Sequence, residues 1–288
     1  MKHPAPPPLP LIRPARIVCG WLLALAAVSS PAFEYDRSIG QIAHLPVTLV
    51  EKPFVLRFSP EELLAQPVWS KRIDGIVLSN LADAPTRTGA RELQNGLVAA
   101  KLGDAPLIEI EPSLTELPRE LAGKHVVVLG RPDELALVRT LVDEQKLTVT
   151  DERLNGDGFI VKPLKKWDAH LLLVTSCVSR GVMYGAFELE ERSTSRGVPR
   201  IDESFVPAVR DRAWSFWNFY PEPPGLIGRS RYNHSIHYFG DWPGILAYPA
   251  YPELGGEKNV SRRLERQTQI HRMLGDATKY GATPGLIF

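Results

Sequence analysis

Cysteine is almost missing from this chain. Only Cys19 and Cys177 occur in 288 residues, which excludes a disulfide-stapled scaffold. An excess of charge of either sign is missing too: 34 Lys and Arg stand against 33 Asp and Glu, a net charge of +1. A nucleic-acid binder usually presents a strongly basic face, and long disordered tails usually carry blocks of like charge; neither feature is here. There is no G-x-G-x-x-G turn and no P-loop, so Val128-Leu129-Gly130-Arg131 reads as a plain strand-to-helix turn and not as a phosphate cradle. The absence of a G-x-S-x-G elbow removes the serine-hydrolase reading. Beyond residue 28 no apolar run approaches the roughly 20 residues that a membrane span needs. What is present is ordinary for packed protein: 44% hydrophobic and 23% charged residues, over a length that suggests about two domains.

The start of the chain has a composition of its own. Residues 1–32 carry Lys2, Arg13 and Arg16 with no acidic residue, then the apolar run Ile17–Val28, then Ser30-Pro31-Ala32. A basic start, an apolar centre of about a dozen residues and a small-residue exit predict a secretory signal peptide. The mature chain is then expected to begin near Phe33, to reside in the periplasm or outside the cell, and to carry no membrane segment. Cys19 leaves with the signal. Cys177, within Leu171–Val178, is then a lone thiol for which a buried structural role is expected over a nucleophilic one.

From Phe33 to about residue 205 apolar β-branched runs alternate with helical patterns. Ile76-Val77-Leu78, Leu107–Ile110 and Val126–Leu129 read as strands. Gly89–Val98 has apolar residues at helical spacing, and Pro132-Asp133-Glu134 has the proline and acids of a helix opening. Gly158–Val161 and Leu171–Val174 predict a hairpin around a charged loop, and Gly181–Glu191 a last helix. The pattern is that of a mixed α/β domain. Gly158 is expected to start a strand after a tight turn, and Gly181 and Gly185 to let a helix approach the sheet closely.

Three of these segments, Val126–Arg131, Asn155-Gly156-Asp157-Gly158-Phe159-Ile160-Val161 and Gly181–Arg192, form an ordered trio. It resembles the small α/β domain that precedes the catalytic barrel in family 20 β-N-acetylhexosaminidases and family 67 α-glucuronidases. The resemblance covers most of residues 75–195 and implies an accessory domain over residues 33–205.

Residues 206–288 read as the start of a barrel. Pro207 and Arg210-Asp211-Arg212 lead into the strand Ala213–Trp217. A second strand, Ser235–Phe239, is followed by Asp241-Trp242 and by Tyr251-Pro252-Glu253-Leu254. Arg263–Tyr280 is an amphipathic helix with Ile270, Leu274 and Ala277 on one face, closed by Gly281. Pro284–Phe288 reads as one more strand. The fold class is therefore α/β: a mixed-sheet accessory domain followed by the first strands of a (β/α)8 TIM barrel. The order of these motifs resembles family 20, although the first strand lacks that family's Asp before its arginine and the second matches in part. About 80 residues of barrel are present where a full one needs roughly 250, so a truncated barrel is expected. The Asp-Glu pair that the resemblance implies, an Asp orienting the substrate acetamido group and a Glu as general acid, is expected beyond Phe288.

Asp241 and Trp242 follow a barrel strand, at the end where barrel enzymes bind substrate. A carboxylate there can bond sugar hydroxyls and an indole can stack on a pyranose ring. A turn aspartate beside an edge aromatic is the plainer alternative. His237 is a third substrate-binding candidate, with a hydrogen-bonded core histidine as its alternative. Arg212 is the fourth: Arg210 and Arg212 either reach substrate hydroxyls or pair with Glu203 or Asp211. His234 and His237, three apart on a strand, face opposite sides and do not converge on a metal. No metal and no other cofactor is expected. The partner expected is an oligosaccharide or polysaccharide. These readings together predict an exported glycoside hydrolase, closest to a β-N-acetylhexosaminidase. An α-glucuronidase is the alternative, as is a non-catalytic carbohydrate-binding protein if the natural product ends at Phe288. Genomic sequence past the Phe288 codon separates the last from the first two.

Overall fold

A computed structural model describes residues 58–217 and 229–238, then residues 264, 268, 271–272, 274–275 and 277–287. The expected signal segment, Asp241, Trp242 and the Tyr251–Leu254 loop lie outside the described residues.

The accessory domain is built on a six-stranded sheet. Its strands are β2 (Gly75–Ser79), β3 (Leu107–Ile110), β4 (His125–Gly130), β5 (Phe159–Lys166), β6 (Ala169–Thr175) and β8 (Glu203–Phe205), in spatial order β3-β2-β4-β6-β5-β8. Strands β3, β2, β4 and β6 are parallel, while β5 runs antiparallel to both β6 and β8. The predicted hairpin is thus β5–β6. A separate antiparallel pair joins β1 (Val68–Ser70) to β7 (Val198–Pro199).

The inner parallel strands β2, β4 and β6 are buried on both faces, which explains their near-continuous apolar runs, while the edge strand β3 exposes Glu109. In β4 the two-residue period divides the side chains: Val127 and Leu129 join one core, Val126 and Val128 the other. The first core is covered by α2 (Ala84–Ala99) and α5 (Ser179–Arg192), the second by α3 (Ala136–Glu144). Two short helices, α1 (Pro60–Ala65) and α4 (Asp151–Leu154), complete the domain. Ser59 and Glu62 form a capping box on α1, and the Asp83 carboxylate caps α2 by accepting from the Thr86 N–H at 3.3 Å.

The glycines of the motif trio do what their positions suggest. A Cβ at Gly158 would lie 2.4 Å from the Leu154 carbonyl oxygen and 2.6 Å from that of Phe205, where neither backbone atom can move aside. A Cβ at Gly181 would stand 2.8 Å from the Gly158 carbonyl oxygen, so α5 begins nearly in backbone contact with the strand it crosses.

Two helix boundaries differ from the sequence reading. The helix over Gly89–Val98 begins earlier, at Ala84, because the Asp83 cap and Pro85 supply a start signal. The helix expected to open at Pro132 begins instead at Ala136. The Glu134 and Leu135 N–H groups both donate to the Arg131 carbonyl, making a turn, and Ala136 N–H donates to the Pro112 carbonyl.

After β8 the chain enters a second sheet of three strands: β9 (Ala213–Trp217), β10 (His234–Tyr238) and β11 (Thr283–Ile287), in order β11-β10-β9. All are parallel, with His234 opposite both Ala213 and Thr283. Before β11, residues 264, 268, 271–272, 274–275 and 277–279 are helical. Ala277 is buried, and Gly281, at φ +68°, closes the helix in the left-handed region that glycine accepts without cost. Parallel strands paired in chain order, with a helix between the second and third, are the way a (β/α)8 barrel begins.

Candidate functional site

The parallel strands give this sheet two unlike ends. Catalytic groups of barrel enzymes lie at the carboxyl ends, here Trp217, Tyr238 and Ile287, while the amino ends serve stability. His237 occupies the fourth position of β10, in register with Phe216 and Leu286. Asp241 and Trp242 follow β10 in sequence, outside the described residues.

Arg212 stands at the other end. It immediately precedes β9, and its Nη2 donates to both oxygens of Asp157 at 2.8 Å. Its Nε donates to the Arg231 carbonyl at 2.7 Å and its backbone N–H to Asn233 Oδ1 at 2.7 Å. The partners considered from sequence were Glu203 and Asp211; the structure supplies Asp157 instead. Arg210 is likewise paired elsewhere, with Asp151 at 2.7 Å. The physical reason is topological: residues just before a barrel strand lie at its amino end, which here meets the accessory domain.

Asp157 is the centre of that meeting. Its side chain is 1% exposed and takes two partners besides Arg212: Arg180 Nε donates to it at 3.0 Å and Asn233 Nδ2 at 3.1 Å. Arg180 Nη1 in turn donates to the Gly281 carbonyl at 2.7 Å. Arg212 precedes β9, Asn233 precedes β10 and Gly281 precedes β11. One buried carboxylate therefore gathers the amino ends of all three parallel strands. The tight turn at Asn155-Gly156, both residues with positive φ, places Asp157 there, and the start of α5 places Arg180.

A second node sits further along α5. Glu188 is fully buried, pairs with Arg192 Nε at 2.6 Å and bonds Arg231. A third joins Arg229 to Glu190 at 2.6 Å and to Glu92 at 2.8 Å. Tyr184, whose phenol burial pushes far above its ordinary value, donates to the Tyr232 carbonyl at 3.1 Å. A cleft of about 380 Å³ opens beside these groups, lined among others by Asp157, Phe159, Tyr184, Phe205, Arg212 and Arg231. Its charged side chains are already paired, so the arrangement holds two parts of the chain together and offers no poised acid or nucleophile.

Cys177 is half-buried and not fully enclosed. Burial pushes its thiol up, and Sγ donates to the Gly156 carbonyl at 3.2 Å. A raised thiol is a poor nucleophile, as the sequence suggested. Sequence reading quoted Asp157, Glu188 and Arg192 inside its motifs without assigning them a task. The signal was there: charged residues inside glycine-rich, otherwise apolar segments are paired when buried.

Residues 56–189 match the family model described as glycosyl hydrolase family 67 N-terminus. No curated protein sequence matches the chain. Solved structures with a similar backbone include CpGH84D, at 15% identity and TM-score 0.49, covering 76% of this chain and 34% of that one. A GH138 enzyme targeting pectin rhamnogalacturonan II aligns at 13% identity and TM-score 0.49 over 72% of this chain and 24% of its own. BtGH115A, a GH115 4-O-methyl-α-glucuronidase with specificity for decorated arabinogalactans, aligns at 16% identity and TM-score 0.44 over 77% of this chain and 29% of its own. The chain thus spans about a quarter to a third of the length of these structures. It carries a glycoside hydrolase-like domain.

Proposed function

We propose that the protein is an exported glycoside hydrolase that releases a terminal sugar from an oligosaccharide or polysaccharide, with its reaction centre at the carboxyl ends of the barrel strands. The observation that carries this reading is the family 67 N-terminus match over residues 56–189, followed directly by parallel strands paired in chain order. That match makes a terminal α-glucuronide the first substrate to test. A terminal N-acetylhexosaminide is the second reading, favoured by Tyr251-Pro252-Glu253-Leu254 and the order of motifs around β10. Turnover of glucuronoxylan oligosaccharides against N-acetylglucosaminides by the product of the complete reading frame separates the two. Release of neither sugar overturns the reading.

Asp241 and Trp242 are proposed to hold the terminal sugar without acting as acid or nucleophile. A carboxylate accepting two hydroxyls in a dry pocket makes charge-assisted bonds of roughly 1.5–3 kcal/mol each. Asp241→Ala is then expected to lower kcat/KM by about ten- to a few hundred-fold with folding intact. Unchanged kinetics would return Asp241 to the role of a turn residue.

Export rests on the zones of residues 1–32. Intact mass of the secreted product should show a chain beginning at or near Phe33; a soluble product that keeps Met1–Ala32 contradicts this.

A further inference from the structure

The 380 Å³ cleft beside the Asp157 node has two unlike walls. Ligand pockets run from about 300 to 1,000 Å³, so a small molecule fits this one. Residues 205–209, Phe-Val-Pro-Ala-Val, supply the apolar wall at the end of β8. Val206 and Val209 are 51% and 55% exposed, which leaves that wall open to water and to the apolar body of a guest. Arg212, Ser230 and Arg231, beside the amino ends of β9 and β10, supply the polar one. The two arginine side chains are 19% and 20% exposed and can be reached from the cleft.

The charge on the polar wall is unbalanced. Asp157 is shared by Arg212 and Arg180, and Glu188 by Arg231 and Arg192, so four guanidinium groups answer two buried carboxylates. Glu203, half exposed and 3.6 Å from Arg192, is screened by water. The opposite surplus, Arg229 between Glu190 and Glu92, belongs to residues that do not line the cleft. Burial and Asp157 push the Tyr184 phenol up, whereas Arg180, Arg212 and Arg231 all oppose that rise, so three cations act at the back of the cleft. Arg231 is held there at φ +59°, a left-handed conformation that a residue other than glycine adopts at a cost.

The two walls select the guest. Surplus positive charge calls for an anion. A small inorganic anion would lose hydration against valine and proline with nothing in return, and a sugar ring would leave hydroxyls unpaired there. Every nitrogen of Arg212 already donates, to Asp157 and to the carbonyls of Val209, Arg210 and Arg231, so Arg212 contributes charge alone. The Ser230 hydroxyl and the Arg231 side chain are the groups placed to touch the guest's oxygens. We propose that this cleft binds a small organic monocarboxylate with an apolar ring or chain. Its carboxylate lies beside Ser230 and Arg231, and its body lies against residues 205–209. Nothing in this pairing draws on the hydrolase reading.

Such a guest touches the end of the accessory sheet and the approaches to β9 and β10 at once. Its binding should therefore raise the melting temperature of the chain, by an amount that grows with its concentration. Because the cleft is open to solvent, added salt should weaken the carboxylate's attraction to the arginine wall.

The test is calorimetric titration of the 288-residue chain at low salt with benzoate, cyclohexanecarboxylate, glucuronate and the neutral benzamide. At least one of the two apolar acids should bind, more tightly than glucuronate and far more tightly than benzamide. Val206→Glu and Val206→Lys change an exposed side chain outside the ion-pair nodes, so both variants keep the fold. They differ in the sign of the charge brought to the cleft, and the lysine variant should bind the acid roughly three- to tenfold more tightly than the glutamate variant. Binding of neither apolar acid, equal binding of benzamide, tighter binding of glucuronate, or equal affinity in the two Val206 variants overturns the site. The hydrolase reading stands or falls in the separate turnover assay.

Discussion

Asp157→Ala is expected to cost about 3–5 kcal/mol of unfolding free energy, the scale for removing one partner of a buried ion pair. The carboxylate is 1% exposed and answers two guanidinium groups that are themselves only 23% and 19% exposed. Removing it leaves Arg180 and Arg212 facing each other without a counter-charge, and leaves Asn233 Nδ2 with the Arg210 carbonyl as its remaining acceptor. The partial exposure of the arginines lets water relieve part of the cost, so the lower end of the range is expected. The loss should be local before it is global. Arg212, Asn233 and Gly281 lead into β9, β10 and β11, so protease should cut near residues 206–212 while the six-stranded sheet survives. Denaturation with a midpoint like the parent's, and no new cleavage, would show that Asp157 does not hold the barrel strands. The double variant Asp157→Ala, Arg212→Ala should lose less than the sum of the two singles, because they share one interaction.

The same carboxylate shows what could be read from the sequence. Strands β2, β4 and β6 were legible because both-face burial writes continuous apolar runs such as Val126–Leu129 and Leu171–Val174, while β3 and the start of β5 showed through their short β-branched segments Leu107–Ile110 and Phe159–Val161. The helix α5 was legible from its apolar face, and Gly158 and Gly181 announced close backbone approach. The short strands β1, β7 and β8 carry no period long enough to recognise, since their pairing is decided by distant partners. Helix α3 was misplaced because Pro132 and Glu134 imitate a helix start, while the turn onto Arg131 and the bond to Pro112 set the true one.

Of the candidate site residues, Asp241 and Trp242 lie outside the described residues, and Arg212 is the one whose side-chain partners the structure shows. Barrel periodicity says which end of a strand each residue occupies, and this places Asp241 and Trp242 after β10. The same logic, applied to Arg212 before β9, points away from substrate and toward the accessory domain. What the sequence could not supply is the partner: Asp157 and Arg212 are 55 residues apart, and only the folded chain brings them to 2.8 Å.

Glu188→Ala should give the second large loss, again about 3–5 kcal/mol, and its signature should differ from that of a surface ion pair. Glu188 is fully buried on α5, one turn before Arg192. When it is removed Arg192 keeps the half-exposed Glu203, 3.6 Å from Nη1, and neither Arg192 nor Arg231 can turn away. Arg192 is pinned over the Phe58 and Phe205 rings, at 4.7 Å and 5.2 Å from their centroids, and Arg231 lies 5.4 Å from that of Phe159. Those aromatic contacts return only about 0.5–2 kcal/mol, less than the pairing that is lost. Salt gives little relief, since buried pairs are screened far less than exposed ones. Arg210–Asp151, with both side chains about half exposed, is the internal comparison: Arg210→Ala should have a far smaller effect, as solvent-screened pairs do, and that effect should fade as salt is added. Replacing Glu188, Arg192 and Arg231 together by apolar residues of similar volume should recover most of the loss, because the penalty lies in the unpaired charge. Denaturant midpoints at low and high salt for these variants decide the point. A Glu188→Ala loss that shrinks with salt like that of Arg210→Ala would mean that the node is solvated and contributes little to holding Arg231 against α5.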